Sequence, residues 1–168
     1  MQLKVIDKAL YRKRLNRITV LSILALLIVS LASSTLLISL LSDGSGSNFW
    51  LNFAGVVIGC ILVGSALKKL KRHPYFSEVA YIWDLKHELN LIQRKLRAIQ
   101  VAAEQHNPSA LLILAYSYAG SRLIWQLDDN TLMMSELNLA DNQLQQQIAE
   151  LGLKLDPADY RRELLDQF

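Results

Sequence analysis

Two long apolar runs without a charge open the chain, and a three-and-four periodic pattern follows them. From Ile18 to Leu41, "ITVLSILALLIVSLASSTLLISLL", 24 residues carry no charge, and 19 more carry none from Phe49 to Leu67. As helices rising about 1.5 Å per residue they would reach about 36 and about 28 Å, against a hydrocarbon core of about 30 Å. Neither run has the polar face that a surface helix of a soluble domain carries. The pattern predicts transmembrane helices over 18–41 and 49–67, with a tight extracytoplasmic turn over 42–48. There Asp43, Gly44 and Gly46 supply permissive backbone, and Phe49 and Trp50 follow as interfacial aromatics. A basic leader followed by Ala32, Ser33 and Ser34 also has the outline of a secretory signal. Cleavage there would fall inside a run that stays apolar to Leu41, so the segment reads as an uncleaved anchor.

Beyond Pro74 the spacing changes. Ile82, Leu85, Leu89, Ile92, Leu96, Ile99 and Ala103 alternate in steps of three and four. That is a heptad seam with Lys86, Glu88, Arg94, Lys95 and Arg97 off it, and a possible interaction seam of coiled-coil type. Asn107-Pro108 reads as an N-cap and first helical position. It opens a second helix to about Leu127, carrying Tyr116, Tyr118 and Trp125. "DDNT", Asp128 to Thr131, reads as a turn and a fresh N-cap for a third helix that ends at Gly152. Asp156-Pro157 starts a short last helix. The expected fold is all-α: a two-helix transmembrane hairpin, then a helical bundle of three long helices and a short C-terminal helix over 76–168. Short connections favour antiparallel neighbours. Pro74 makes a kink more natural than one rod running from the second span into the bundle.

Charge orients the hairpin. Residues 1–17, a basic juxtamembrane segment, hold six basic side chains against Asp7, and the linker over 68–75 holds Lys68, Lys69, Lys71 and Arg72. Residues 73–168 hold 8 basic and 13 acidic side chains. Lys and Arg near span ends stay cytoplasmic. Arg12, Lys13, Arg14 and Arg17, with the four basic residues of "KKLKR", therefore set both termini in the cytoplasm. The sequence pI of about 9.0 reports that collar and does not point to nucleic acid.

Candidate chemistry is sparse. His87 lies near Asp84 and Glu88 on one helix, which could be a carboxylate–histidine metal site, but no second such motif exists and a solvated, locally paired helix face explains it with less. Asp128-Asp129 lacks calcium-loop spacing and reads as capping. The lone Cys60 lies mid-span, with no partner for a disulfide or a metal-ligand spacing. No Gly-rich phosphate loop occurs. No catalytic residue, cofactor site or metal site is assigned. Gly55, Gly59 and Gly64 with Ser30 and Ser34 give the spans a small-residue stripe. It serves either packing of the two spans within one chain or assembly between chains. With no Asp, Glu, Lys, Arg or His inside a span, no proton relay or charged ion path is expected.

The order of "YRKRLNR", "NFWLNFAGVVIG", "YIWDLKHEL" and "WQLDDN" resembles an uncharacterised family of small two-span bacterial inner-membrane proteins, a domain of unknown function. The resemblance implies an inner-membrane location and carries over no catalytic or binding residue. The function expected is that of a non-enzymatic integral membrane protein anchoring a helical cytoplasmic interaction module. Its partners would be the bilayer and another protein or its own copies, with contact at the edges of the 82–103 seam and at Tyr116, Tyr118 and Trp125. The alternative is a homo-oligomeric assembly, a passive pore or bilayer sensor, built through the spans. A metal-dependent enzyme in the bundle would rest on His87 alone.

Overall fold

The computed structural model describes residues 3–42, 44 and 47–168. Asp43 and Gly46, expected to shape the first turn, lie outside the described residues, while Gly44 takes a left-handed φ of 75°. The regular structure of the described residues is entirely helical, without a strand. Helices α1 (Lys8–Leu41), α2 (Phe49–Leu70), α3 (Ser77–Glu104), α4 (Pro108–Leu127) and α5 (Met134–Glu150) are supplemented by 3-10 turns at Pro74–Phe76, Pro157–Asp159 and Arg162–Gln167. The chain divides into two compact units. One is Ala9–Ala80, and the other is Tyr81–Phe168 with the N-terminal segment through Lys8.

The first unit pairs α1 with α2. Ser34 meets Gly55 and Ser30 meets Gly59, so the helices run antiparallel and the basic residues of α1's first turns lie at the same end as Lys68 and Lys69 in α2's last turn. Both helices are long and apolar enough to cross a membrane, with mean hydropathy of 2.4 and 2.0 over their best 18-residue stretches. Little of that surface is covered: Leu31 is 68 % exposed and Ile61 61 %. The α1 helix starts ten residues before the apolar run, so the basic segment expected as a flank is itself helical. Its Arg14 pairs with Glu78 and lies 5.1 Å over the Tyr75 ring. Burial alone would raise the Glu78 carboxyl; hydrogen bonds from its own backbone and Ser77, with the charge of Arg14, outweigh it and hold it below its ordinary value. The expected break at Pro74 is present: α2 ends at Leu70, and His73 caps the 3-10 turn with Nδ1 accepting from Tyr75 N at 3.1 Å.

In the second unit α4 is the central helix, with nine of its twenty residues buried, among them Leu111, Ile113, Leu114 and Tyr116. Asn107 caps it through Oδ1, accepting from Ser109 N at 2.9 Å and Ala110 N at 3.2 Å, with Pro108 at the first position as expected. At Gly120 a Cβ would come 3.2 Å from both Leu85 Cδ1 and Leu89 Cδ2; this glycine lets α3 lie close against α4. The three helices end in the same way, with a left-handed residue and a backbone bond reaching back five positions: Asn107 N to Ala102 O, Asn130 N to Trp125 O and Leu153 N to Ile148 O. The left-handed residues are His106, Asp129 and Gly152. Only the glycine advertises this closure in sequence.

Three expectations change here. "DDNT" is not the cap of α5: the helix begins at Met134, and Met133 makes no side-chain cap bond. Asp128 instead pairs with Lys86 at 2.8 Å and Asp129 with Lys8. The last helix is two 3-10 turns packed on α4, although Asp156 caps the first of them as expected, accepting from Ala158 N at 2.8 Å. Finally, Glu88, placed off the α3 seam by its charge, is 4 % exposed. Burial on α3 follows Ile82, Leu85, Glu88, Ile92 and Ile99, while Leu89 and Leu96 are half-buried. The covered stripe is thus rotated toward Glu88.

Candidate functional site

The densest polar construction in the helical unit surrounds that buried carboxylate. One turn of α3 beyond Leu85 carries Glu88 inward. Tyr160, between the two C-terminal turns, donates its hydroxyl to Glu88 Oε1 at 2.8 Å. Arg162 donates Nε to Oε2 at 3.0 Å and Nη2 to the same oxygen. The Tyr160 ring stacks on Tyr116 of α4, centroids 4.0 Å apart and planes 16° from parallel. Nearby, Tyr81 at the start of the unit accepts from Lys4 N at 2.9 Å, and the Lys4 ammonium sits 5.5 Å over its ring. Glu88 therefore ties the C-terminal turns to α3, the Tyr160 ring joins them to α4, and Tyr81 separately holds the N-terminal segment to α3.

Its electrostatics follow from burial against donors. Burial alone would raise the Glu88 carboxyl, but the hydrogen bonds from Arg162 and Tyr160 and the guanidinium charge outweigh it and hold the group below its ordinary value. The Arg162 guanidinium is pushed up, first by its hydrogen bonds to Glu88 and then by the carboxylate charge. Tyr160 is pushed well above the usual phenol range by burial, by its bond to Glu88 and by that charge. Tyr116 moves the same way through burial, with Tyr81 and Glu88 adding to it. Burial also raises Tyr81. A carboxylate with donors on both oxygens anchors the C-terminal turns to α3.

Tyr116 presents the opposite case, because its hydroxyl is buried and has no hydrogen-bond partner among the described residues. Burying an unpaired hydroxyl costs free energy that removing it recovers. Tyr116→Phe is therefore expected to leave stability unchanged or to raise it by up to about 1 kcal/mol, whereas Tyr160→Phe, which cuts a bond to Glu88, lowers it. Both phenols have raised folded-state pKa values. Their contribution is complete below the ordinary phenol value of about 10 and is lost as pH rises above it. Thermal melts of the full chain at pH 7 and pH 11 check this: Tyr116→Phe should narrow the gap between the two.

The other sequence candidates fall as follows. Ile82, Leu85, Ile92 and Ile99 are buried in their own chain's core, and Leu89 and Leu96 remain half-buried at its edge. Tyr116 is core, which removes it from any contact surface, while Tyr118 and Trp125 are half-buried. Burial, with Asp141 nearby, raises the Tyr118 phenol. His87 and Asp84 are exposed on α3, and His106 meets Gln147 at 3.3 Å. Among the described residues no three His, Cys, Asp or Glu side chains gather as a metal site. Cys60 is exposed on α2. In the hairpin, Gly55 and Gly59 lie against Ser34 and Ser30, whereas Gly64 has nothing within 4 Å and takes no part. The Glu88 cluster escaped sequence reasoning. Its only signal was a carboxylate one step from an apolar seam, with an aromatic–basic "YRR" seventy residues away.

These features define an all-helical protein in which two long apolar helices precede a compact helical unit. Residues 1–165 match the family described as "Protein of unknown function (DUF3087)", and the chain belongs to that family. No curated protein and no solved structure matches it.

Proposed function

We propose that the chain is a non-enzymatic integral membrane protein whose α1–α2 hairpin anchors a helical interaction module on the cytoplasmic face of a bacterial inner membrane. The observation that carries this reading is the outer surface of the hairpin. Apolar side chains from Val20 to Leu41 and from Phe49 to Leu62 stand exposed along both helices, which water would not tolerate over such an area. The antiparallel pairing gathers Arg12, Lys13, Arg14 and Arg17 with Lys68, Lys69, Lys71 and Arg72 at one end, the distribution that retains an end in the cytoplasm. The module supports an adaptor reading. Its buried carboxylate is saturated by donors, and its ends are tied down so that a fixed outer surface is presented.

The Gly55–Gly59 stripe is occupied by Ser34 and Ser30 of the same chain. That favours the anchor over a pore or bilayer sensor assembled through the spans. The deciding experiment is alkaline extraction of membranes, coupled to labelling of single cysteines in a Cys60→Ser background. The expected result is retention in the pellet, with Ser47→Cys labelled from outside intact cells and Asn90→Cys only after permeabilisation. Release into the supernatant, or the opposite labelling pattern, would overturn the reading.

A further inference from the structure

The pairing of α1 with α2 is close in one half and open in the other. Gly55 and Gly59 bring α2 against Ser34 and Ser30. Past Gly59 the same side of α2 continues through Val63, Ala66 and Leu70, at steps of four, three and four, and there a cleft of about 460 Å³ lies between the helices. Leu21, Ala25 and Val29 line it from α1, and Tyr75 and Phe76 of the first 3-10 turn line its basic end. Of the lining residues only Ser22 and Tyr75 carry a polar group, and the Ser22 hydroxyl is satisfied by Ile18 O at 2.7 Å. Such a wall suits a hydrocarbon and offers water nothing. From Ile18 to Val29 the cleft runs about 16 Å along α1, about half of a hydrocarbon core of about 30 Å. That is the depth of one leaflet, measured from the basic end.

The charge at that end is lopsided. The unit Ala9–Ala80 holds eight basic side chains, Arg12 to Arg17 and Lys68 to Arg72. Its acids are Glu78 and Asp43, and Asp43 falls in sequence between the opposite ends of α1 and α2. Glu78 is taken by Arg14, whose guanidinium lies 5.1 Å over the Tyr75 ring and so marks the mouth of the cleft. Arg17 comes one turn before the lining Leu21, and Lys69 one turn after the lining Ala66, so both flank that mouth. Neither is ion-paired among the described residues.

We propose that this cleft holds one acyl chain of an anionic phospholipid from the inner leaflet, with the phosphate of its headgroup held by Arg17 and Lys69. Two observations select that occupant. The apolar cleft has the length of a single leaflet, and it opens among cations that the unit's own acids leave unmatched. Basic pockets between membrane helices on the cytoplasmic side recognise anionic headgroups in this way, and arginine offers phosphate a planar pair of donors. The inference rests on the membrane-anchor reading and names the lipid that anchor binds.

The experiment reconstitutes the full chain in phosphatidylcholine vesicles. They carry a trace of phosphatidylglycerol with a photoactivatable acyl chain, or the same trace of an equally labelled phosphatidylcholine, and mass spectrometry reads the labelled residues. Labelling at Ala25 and Ala66 is expected to be about fivefold or more stronger from phosphatidylglycerol, while Leu27, exposed on the far side of α1, takes up both alike. Arg17→Gln with Lys69→Gln should lower phosphatidylglycerol labelling of the cleft by about fivefold for each charge removed and leave phosphatidylcholine labelling where it was. Ala25→Trp, which fills the cleft, should abolish labelling at Ala66 by either lipid. Equal labelling by the two lipids, or a phosphatidylglycerol preference as strong at Leu27 as at Ala25, would mean annular lipid only and overturn the proposal. Indifference to the double glutamine variant would do the same. Titration of each variant into SDS separates loss of the site from loss of the hairpin, and the glutamine variant, altered at exposed positions, decides the matter if the tryptophan variant does not fold. Release of the chain from membranes at alkaline pH would sink the anchor reading; retention without lipid preference sinks this inference alone.

Discussion

Glu88→Ala is expected to lower the stability of the helical unit by about 3 kcal/mol, the cost of stripping a buried, donor-saturated carboxylate from its partners. Three groups lose an acceptor together: the Tyr160 hydroxyl and two guanidinium nitrogens of Arg162. Arg162 is 57 % exposed at its side chain and can turn to water, which keeps the cost from being larger. The Tyr160 hydroxyl is buried with its ring and cannot. Glu88→Gln, which retains an acceptor for Tyr160 but loses the charge-assisted bonds, should cost about half as much. The acid limb follows from the same contacts. The folded-state carboxyl is held below its unfolded value, so its contribution is present above the ordinary glutamate range of about 4.3 and is lost as pH falls below it. The thermal midpoint of wild type should therefore fall more steeply below pH 4 than that of Glu88→Gln. Equal midpoints for wild type and Glu88→Ala at pH 7 would show that the cluster holds nothing.

The second large effect belongs to the hairpin. A Cβ at Gly55 would come 2.6 Å from Ser34 N and 2.7 Å from Ser34 Cα. Backbone atoms of a helix cannot swing aside as a side-chain tip can. Gly55→Leu must therefore force α1 and α2 apart, at a cost of about 2 kcal/mol or more, and should also break the Ser34 Oγ bond to Asn52 O. Gly59→Leu acts alike but more mildly, because the nearest backbone atom, Ser30 Cα, is 3.2 Å away. Gly64→Leu is the control and should be silent, since the position opens on space. Titration of the purified full chain from mild detergent into SDS, followed by the loss of compact gel migration, measures the order: Gly55→Leu earliest, Gly59→Leu next, Gly64→Leu with wild type.

Much of this was legible one residue at a time. Uncharged runs of 24 and 19 residues dictate two long helices because nothing in them can support another backbone arrangement at that length. Asn107-Pro108 announces the start of α4 because an Asn side chain can accept from the first free amides and proline has no amide to satisfy. Gly152 announces the end of α5. His106 and Asp129 end helices with the same backbone geometry, yet nothing in their identity demands it; they are left-handed because the packed helices on either side require the chain to turn there. "PADYRRELLDQF" has a helix-like composition, but in the fold it lies as two 3-10 turns across α4, its path set by the positions of Glu88 and Tyr116.

The sequence by itself determined the five long helices, most of their limits, the length of the two apolar runs and the gathering of positive charge at one end of the hairpin. These rest on local spacing, capping and hydropathy, which act within a few residues of each other. Only the tertiary structure decided that Glu88 is buried and Arg162 its partner, that Tyr116 is core, that Gly120 serves the α3–α4 contact and that Gly55 and Gly59, but not Gly64, meet the serines of α1. Each of those depends on which side of a helix another segment covers. Rotating α3's covered stripe toward Glu88 moves a charged residue from solvent into the core without changing a letter, and only the neighbours that pack there determine that rotation.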